Sequence, residues 1–248
     1  MPAPGGRRLC GVIPARLAST RLPRKVLREL AGKPLLQWVA EAAAGAAVLD
    51  ELIVATDAPE VRALCQRLGL TCLMTSPEHP SGTDRLYEVA TRVRADIYVN
   101  IQGDEPLLRR EHLQALLAPF EDPGVAVTTL ATPISREAAA DPNRVKVVVS
   151  VDGRALYFSR ALIPYDRDGS PAGPILKHLG LYAYTAEALA TFHRLPPSPL
   201  ERRERLEQLR LLENGLPIHV ALTPYDSVGV DTEADLALAE QLLLARTP

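Results

Sequence analysis

Two short segments carry the residue types that phosphate and metal chemistry require. The first runs Pro14-Ala15-Arg16-Leu17-Ala18-Ser19-Thr20-Arg21-Leu22-Pro23-Arg24-Lys25, and gathers four cations and two hydroxyls ahead of a helical pattern. Arginine and lysine neutralise phosphate oxygens, while backbone amides in such a loop add directed donors. By composition alone a solvated basic loop fits as well; its place directly after an apolar strand favours the polyphosphate reading. The loop contains neither G-x-G-x-x-G nor G-x-x-x-x-G-K-[ST], which argues against a nicotinamide-dependent oxidoreductase and a P-loop NTPase.

The second segment is Asn100-Ile101-Gln102-Gly103-Asp104-Glu105-Pro106, where an apolar strand ends in an amide, a glycine and two carboxylates. Asp104 here suits a hard cation, and Gly103 admits a ligand close to the backbone. An ordinary Gly-Asp turn is the competing account, and it weakens once both loops are placed at the same sheet end. A third carboxylate, Asp231, precedes Thr232-Glu233-Ala234-Asp235. Asp231 as helix N-cap and Asp231 as metal ligand both fit; a capping box of Thr232 with Asp235 would leave its carboxylate outside the helix.

These loops need a scaffold, and the first half of the chain supplies the pattern of one. Short β-rich runs at Leu9–Pro14, Glu51–Thr56, Thr71–Thr75 and Asp96–Gln102 alternate with helical patterns at Leu35–Ala46, Pro59–Leu68 and Thr83–Arg94. This is the sequence form of βαβ units and a mostly parallel, Rossmann-like sheet flanked by helices. Strands at Val125–Ala131, Val145–Val151 and Lys177–Thr185, with turns at Asp152-Gly153 and Asp168-Gly169, predict an antiparallel extension over roughly 125–185. The stretch Tyr165–Gly173 reads as a loop bordering a site. A helix over Leu200–Glu213, a strand over Ile218–Leu222 and a helix over Thr232–Ala245 follow. No repeat or long linker interrupts the pattern, so a single domain over 1–248 is expected.

Composition narrows the function. The net charge of -2, from 28 basic and 30 acidic residues, gives no global field for nucleic acid or anionic lipid, so any anion must be held locally. Three cysteines, Cys10, Cys65 and Cys72, form no CxxC pair and support neither a disulfide framework nor a zinc site. No signal peptide or bilayer-spanning run is legible, which points to a cytoplasmic protein.

The ordered set IPARLASTRLPRKVL, HPSGTDRL, VNIQGDEPLL, ALYFSRALIPYDRD, KHLGLYAY, PSPLERRERLEQLR and GVDTEADL resembles the 3-deoxy-manno-octulosonate cytidylyltransferases, or CMP-Kdo synthetases, over nearly the whole chain. One departure is Arg24, where the family's RLPGK pattern has glycine. The resemblance implies a CTP site in which Ala15 and Arg16 lie near the nucleotide and Arg16 and Lys25 meet its phosphates. Ser81, Gly82, Thr83 and Arg85 would recognise the nucleotide, with Ser81 and its neighbours also able to cap the helix that begins there. Asp104 and Asp231 would hold Mg2+. Gln102, Arg160, His178, Tyr182 and Glu207 would bind Kdo. On residue chemistry alone, Glu207 could equally pair with Arg203 or Arg210 on its own helix, and period two puts His178, Gly180, Tyr182 and Tyr184 on one strand face.

The implied reaction is in-line attack of the anomeric hydroxyl of Kdo on the α-phosphorus of CTP, giving CMP-Kdo and pyrophosphate for lipopolysaccharide biosynthesis. A homodimer is also implied. Two other readings stand beside it: a cytidylyltransferase for 8-amino-Kdo or another acidic sugar, and a non-catalytic nucleotide-sugar-binding protein on the same scaffold.

Overall fold

The computed structural model describes residues 6–17, 21–167 and 173–245. Ala18, Ser19 and Thr20 of the basic loop, and the Asp168-Gly169 turn with most of the Tyr165–Gly173 loop, lie outside the described residues. The chain divides into two compact units, one of Met1–Gln114 with Ser227–Pro248 and one of Ala115–Asp226.

In the first unit four strands pair in parallel: β1 (Leu9–Pro14), β4 (Glu51–Thr56), β5 (Cys72–Met74) and β6 (Ile97–Asn100). Their order is β6-β1-β4-β5. β1 and β4 lie inside this sheet, which is why Val12, Ile13, Ile53 and Val54 form near-continuous apolar runs with almost no exposure. The helices α1 (Leu35–Gly45), α2 (Pro59–Leu68) and α3 (Gly82–Arg92) pack on these strands. α2 opens with Pro59, whose missing N–H would be unpaired there anyway, and closes on Gly69 in the left-handed region at φ 66. The chain builds β1, β4 and β5 outward in one direction, then returns to lay β6 on the other side of β1. Strand order therefore reverses between β1 and β6, the place where a parallel α/β sheet opens a crevice at its carboxyl ends. Both chemically interesting loops leave from that point.

A small antiparallel hairpin, β2 (Glu29–Leu30) with β3 (Lys33–Pro34), follows the basic loop. The terminal helix α9 (Glu233–Leu244) closes the unit. Leu22, Leu30, Leu35 and Leu107 share one buried cluster with Val230, Ala239 and Leu243, and Trp38 and Leu236 pack against it. Each fully buried leucine contributes roughly 1.5–3 kcal/mol. This cluster draws the end of the chain onto the basic loop and so brings Asp231 to the crevice.

The second unit is mainly antiparallel. β10 (Ile175–Thr185) pairs antiparallel with β7 (Val127–Ile134) and with β8 (Lys146–Val149), β8 pairs antiparallel with β9 (Ala155–Ser159), and β11 (His219–Leu222) runs parallel to β7. The sequence reading did not anticipate β9 as a strand, nor the helices α4 (Arg110–Leu117), α5 (Arg136–Ala139) and α6 (Ala186–Arg194). The helix expected over Leu200–Glu213 is two short ones, α7 (Pro199–Glu204) and α8 (Leu209–Glu213), because Arg205 takes a left-handed φ of 56. The buried pair of Arg210 with Glu201, at 2.5 and 2.8 Å, ties α8 to α7 across the break.

β10 also departs from simple alternation. Leu179 pairs with Leu130 and Tyr182 with Thr129, so Gly180 and Leu181 form a bulge. His178 and Tyr182, which ideal strand geometry would hold about 13 Å apart, have ring centroids 5.3 Å apart. Thr129 fills the bulge; its hydroxyl lies 2.8 Å from the Leu181 carbonyl and 3.0 Å from His178 Nε2.

Candidate active site

The crevice of the first unit holds a cavity of about 380 Å³, lined by Pro14, Arg16, Arg21, Lys25, Val26, His79, Ser81, Gly82, Arg85, Gln102, Gly103, Asp104 and Asp231. The β1 loop supplies its cations, the β6 loop its amide and first carboxylate, the start of α3 a further wall, and the segment ahead of α9 its second carboxylate. Gly103 lines the cavity and also packs closely on the end of β1: a Cβ there would lie 3.0 Å from the Pro14 carbonyl and 3.4 Å from Ile13, a tight contact that glycine avoids.

Asp104 and Asp231 converge on one ammonium. Lys25 Nζ donates to Asp104 Oδ2 at 2.5 Å and to Asp231 Oδ1 at 2.9 Å, and Arg21 pairs with Asp231 Oδ2 at 2.9 Å. Burial alone would lower the Lys25 ammonium; the two carboxylates outweigh it and hold it above the ordinary lysine value. Two local devices set this geometry. Thr232 caps α9 in a capping box with Asp235, whose carboxylate also accepts from the Asp231 amide at 3.1 Å, so the Asp231 side chain is left outside the helix. The Val230 amide donates to the Asp104 carbonyl at 2.9 Å, pinning one acidic segment to the other.

This arrangement fits a divalent ion. Two carboxylates from distant segments already meet at a point where positive charge sits, and two protein carboxylates completed by substrate phosphates is the donor set magnesium uses. Among the described residues no group of three or more His, Cys, Asp or Glu side chains has metal-binding geometry, so further ligands would come from substrate and water.

At the α3 wall, Ser81 Oγ accepts from the Asp84 amide at 3.1 Å, and so caps the helix. Ser81 and Gly82 face the cavity, whereas Thr83 is buried beneath them. Arg85 also reaches the cavity although it is almost wholly buried, and is held by Asp57 at 3.0 Å and by the Thr75 hydroxyl. Ala15 is fully buried, and its amide donates to the Ala55 carbonyl at 2.8 Å.

Of the residues expected to bind sugar, Gln102 lines this cavity, and the others belong to the second unit. There the bulge brings His178 and Tyr182 together, and Tyr184 stacks on Tyr182 with centroids 5.8 Å apart. Burial, reinforced by the Lys177 charge, pushes His178 down to about 3, so the ring is neutral. The Tyr182 hydroxyl is buried beside Thr129. Burial raises its pKa and the nearby Tyr184 and Glu207 raise it further, against the lowering effect of the Thr129 hydroxyl. Arg160 directs Nε to the Glu204 carbonyl at 2.8 Å and NH1 to the Pro142 carbonyl at 3.2 Å.

Comparison with known proteins decides the family. Residues 10–219 match the cytidylyltransferase family model. The chain is 60% identical to the 3-deoxy-manno-octulosonate cytidylyltransferase of Acidobacterium capsulatum, over 95% of this chain and 96% of that one. It is 55% identical to the enzyme of the same name from Koribacter versatilis, over 99% and 95% of the respective chains. The chain belongs to the 3-deoxy-manno-octulosonate cytidylyltransferase family. A solved structure of CMP:2-keto-3-deoxy-manno-octonic acid synthetase complexed with CTP superposes with a TM-score of 0.92 at 44% identity, covering 96% of this chain and 99% of that one. The fold is accordingly α/β, with a mostly parallel mixed sheet flanked by helices.

Within this cytidylyltransferase the departure at Arg24 has a clear backbone consequence. Arg24 sits at φ 56, in the left-handed region that glycine enters freely. Its side chain reaches Glu60 at 3.7 Å, both groups being exposed. Two ionisable cavity residues were not singled out from sequence, Arg21 and His79. Arg21 shares the cationic loop with Arg16 and Lys25, so its signal was present. His79 opens the HPSGTDRL segment, and its Nε2 bonds Glu88 Oε2, an acid whose pKa is lowered by that contact and by the Ser76 amide against the effect of burial.

Proposed function

We infer that this cytidylyltransferase transfers CMP from CTP to Kdo, releasing pyrophosphate, and that its product feeds lipopolysaccharide biosynthesis. The observation that carries the reading is the convergence of Asp104 and Asp231 beside Arg16, Arg21 and Lys25 in one cavity at the strand-order reversal. A triphosphate needs its charge neutralised before another oxygen nucleophile can approach, and this cavity concentrates cations where the chain otherwise has net negative charge.

Arg16 and Lys25 are assigned to the phosphates. Ser81, Gly82, Thr83 and Arg85, with the backbone near Ala15, are assigned to the nucleotide. Asp57 and Thr75 hold Arg85 in place, so it needs little reorganisation to meet charge. Asp104 and Asp231 are the residues that would hold magnesium, which when bound shields the triphosphate and stabilises charge developing at the α-phosphate. Gln102 and, in the second unit, Arg160, His178, Tyr182 and Glu207 are assigned to Kdo. Neutral His178 and the Tyr182 hydroxyl offer hydrogen bonds rather than charge, as sugar hydroxyls require. The anomeric oxygen of Kdo forms the new bond to the α-phosphorus as the bond to the bridging oxygen of pyrophosphate breaks. Positioning carries this step and no covalent enzyme intermediate is invoked.

No described helix is long and apolar enough to cross a membrane, and a cytoplasmic enzyme is proposed from the family to which the chain belongs. We also infer a homodimer, testable by light scattering. The chain is proposed to fold as one domain, since the first unit is assembled from both chain ends; a single calorimetric transition would support this, and two separate ones would contradict it. The direct test of function is pyrophosphate release with CTP, Mg2+ and Kdo, with other triphosphates and 8-amino-Kdo as controls. Turnover with Kdo and CTP is expected. Binding of CTP without turnover on any sugar would favour a non-catalytic nucleotide-sugar-binding role.

A further inference from the structure

The point at which the two acidic segments converge is held by a group of the chain itself. Lys25 Nζ contacts Asp104 Oδ2 and Asp231 Oδ1, and its side chain is only 13% exposed. Arg21 takes the remaining Asp231 oxygen. A divalent ion that takes Asp104 Oδ2 or Asp231 Oδ1 competes with Lys25 for that oxygen, and an ion held elsewhere on the same two carboxylates is still repelled by the ammonium a few ångströms away. Lysine suits an exchangeable role, since its compact ammonium sits on a flexible four-carbon stem and binds as a point charge without the fixed fork of arginine. Lys25 also lines the cavity that Arg16 and Arg85 line, so a triphosphate bound there offers the ammonium new anionic partners within its own reach.

We propose that Lys25 is an exchange residue: without nucleotide it neutralises Asp104 and Asp231 and keeps divalent cations out, and the triphosphate of CTP draws it away and opens the pair to magnesium. This rests on the assignment of Asp104 and Asp231 as metal carboxylates. Nucleotide and metal then bind cooperatively, and the exchange contributes to that coupling beyond the direct contact of ion and phosphate.

The test uses Mn2+ as a spectroscopic probe of the whole protein, with CTP present or absent and no Kdo, so that nothing turns over. Lys25→Met should bind Mn2+ alone roughly tenfold tighter than the wild type, and the factor by which CTP enhances Mn2+ affinity should shrink correspondingly. Equal or weaker Mn2+ binding by Lys25→Met overturns the proposal. Adding Asp104→Asn to Lys25→Met should remove that binding; Mn2+ affinity retained in the double variant overturns the metal assignment itself, and the exchange with it. A measurement on the unaltered protein covers the case in which Lys25→Met does not fold. The Lys25 ammonium resonance should move on adding CTP alone and stay in place with Mg2+ alone at the same concentration. Displacement by Mg2+ alone would overturn the exchange.

Discussion

The amide of Val230 donates to the carbonyl of Asp104 over 2.9 Å, and this single backbone bond joins the two segments whose carboxylates define the site. It fixes main chain to main chain, so the fold holds the two segments that carry the carboxylates side by side. With Gly103 against Pro14, Thr232 capping α9 and Val230 buried among leucines, the acids sit on a scaffold with little freedom.

Asp104→Asn and Asp231→Asn should each lower kcat by at least about a hundredfold, the scale expected when electrostatic stabilisation of a phosphoryl transition state is lost. Each variant leaves Lys25 one remaining carboxylate, so circular dichroism and melting temperature should stay close to wild type. Near-native turnover in magnesium by both variants would rule out their role.

Thr232→Ala removes the side-chain acceptor that caps α9 and should cost about 1 kcal/mol of stability. Since Asp235 also holds the Asp231 amide, loosening the box should reduce turnover as well. Urea unfolding paired with steady-state kinetics reads both; a stability loss with unchanged kcat would show that the cap does not position Asp231.

Arg24→Gly should raise stability by up to about 1 kcal/mol. A non-glycine residue at φ 56 costs about 1–2 kcal/mol, partly offset by the larger unfolded-state entropy of glycine, and the exposed Glu60 pair at 3.7 Å contributes little. A lower urea midpoint in the variant would show that the Arg24 side chain matters more than its backbone strain.

Tyr182→Phe removes a buried hydroxyl that stands beside Thr129. The melting temperature should change little, because a single neutral hydrogen bond contributes only about 1 kcal/mol. The KM for Kdo should rise about tenfold while that for CTP stays within about twofold. Loss of stability with both KM values unchanged would place the hydroxyl in the structure and not in sugar binding.

Acid should destabilise the protein through His178. Its folded pKa is depressed to about 3 from an ordinary 6.5, so between those values the unfolded chain binds more protons than the folded one. Stability is full above about pH 6.5, declines as pH falls and reaches the end of this loss near about pH 3. His178→Asn should flatten that part of the profile in urea titrations at about pH 7 and about pH 4. An unchanged slope in the variant would assign the acid sensitivity to other groups.

The sequence read closely where local rules dominate. β1, β4 and α2 lie at Leu9–Pro14, Glu51–Thr56 and Pro59–Leu68 as expected, since apolar runs, a proline at the first helical position and a following glycine act over a few residues. The motif order carried the family, and the capping box of Thr232 and Asp235 was legible because all its parts are adjacent. What was not legible depended on distant partners. α7 and α8 separate at Arg205 where a continuous amphipathic helix was expected, and Arg210 reaches back across that break to pair with Glu201. The bulge at Gly180 sits against Thr129 of another strand, and the close packing of Gly103 on Pro14 joins two segments far apart in the chain.

By itself, then, the chain's order of residues determined the four parallel strands of the first unit, the loops that leave them and the capping box beside Asp231. Only the tertiary structure decided that Lys25 stands between Asp104 and Asp231. Short-range preferences are written in neighbouring residues, but the meeting of two acids and an amine from opposite ends of a chain follows from which apolar surfaces pack together, and no local pattern encodes that.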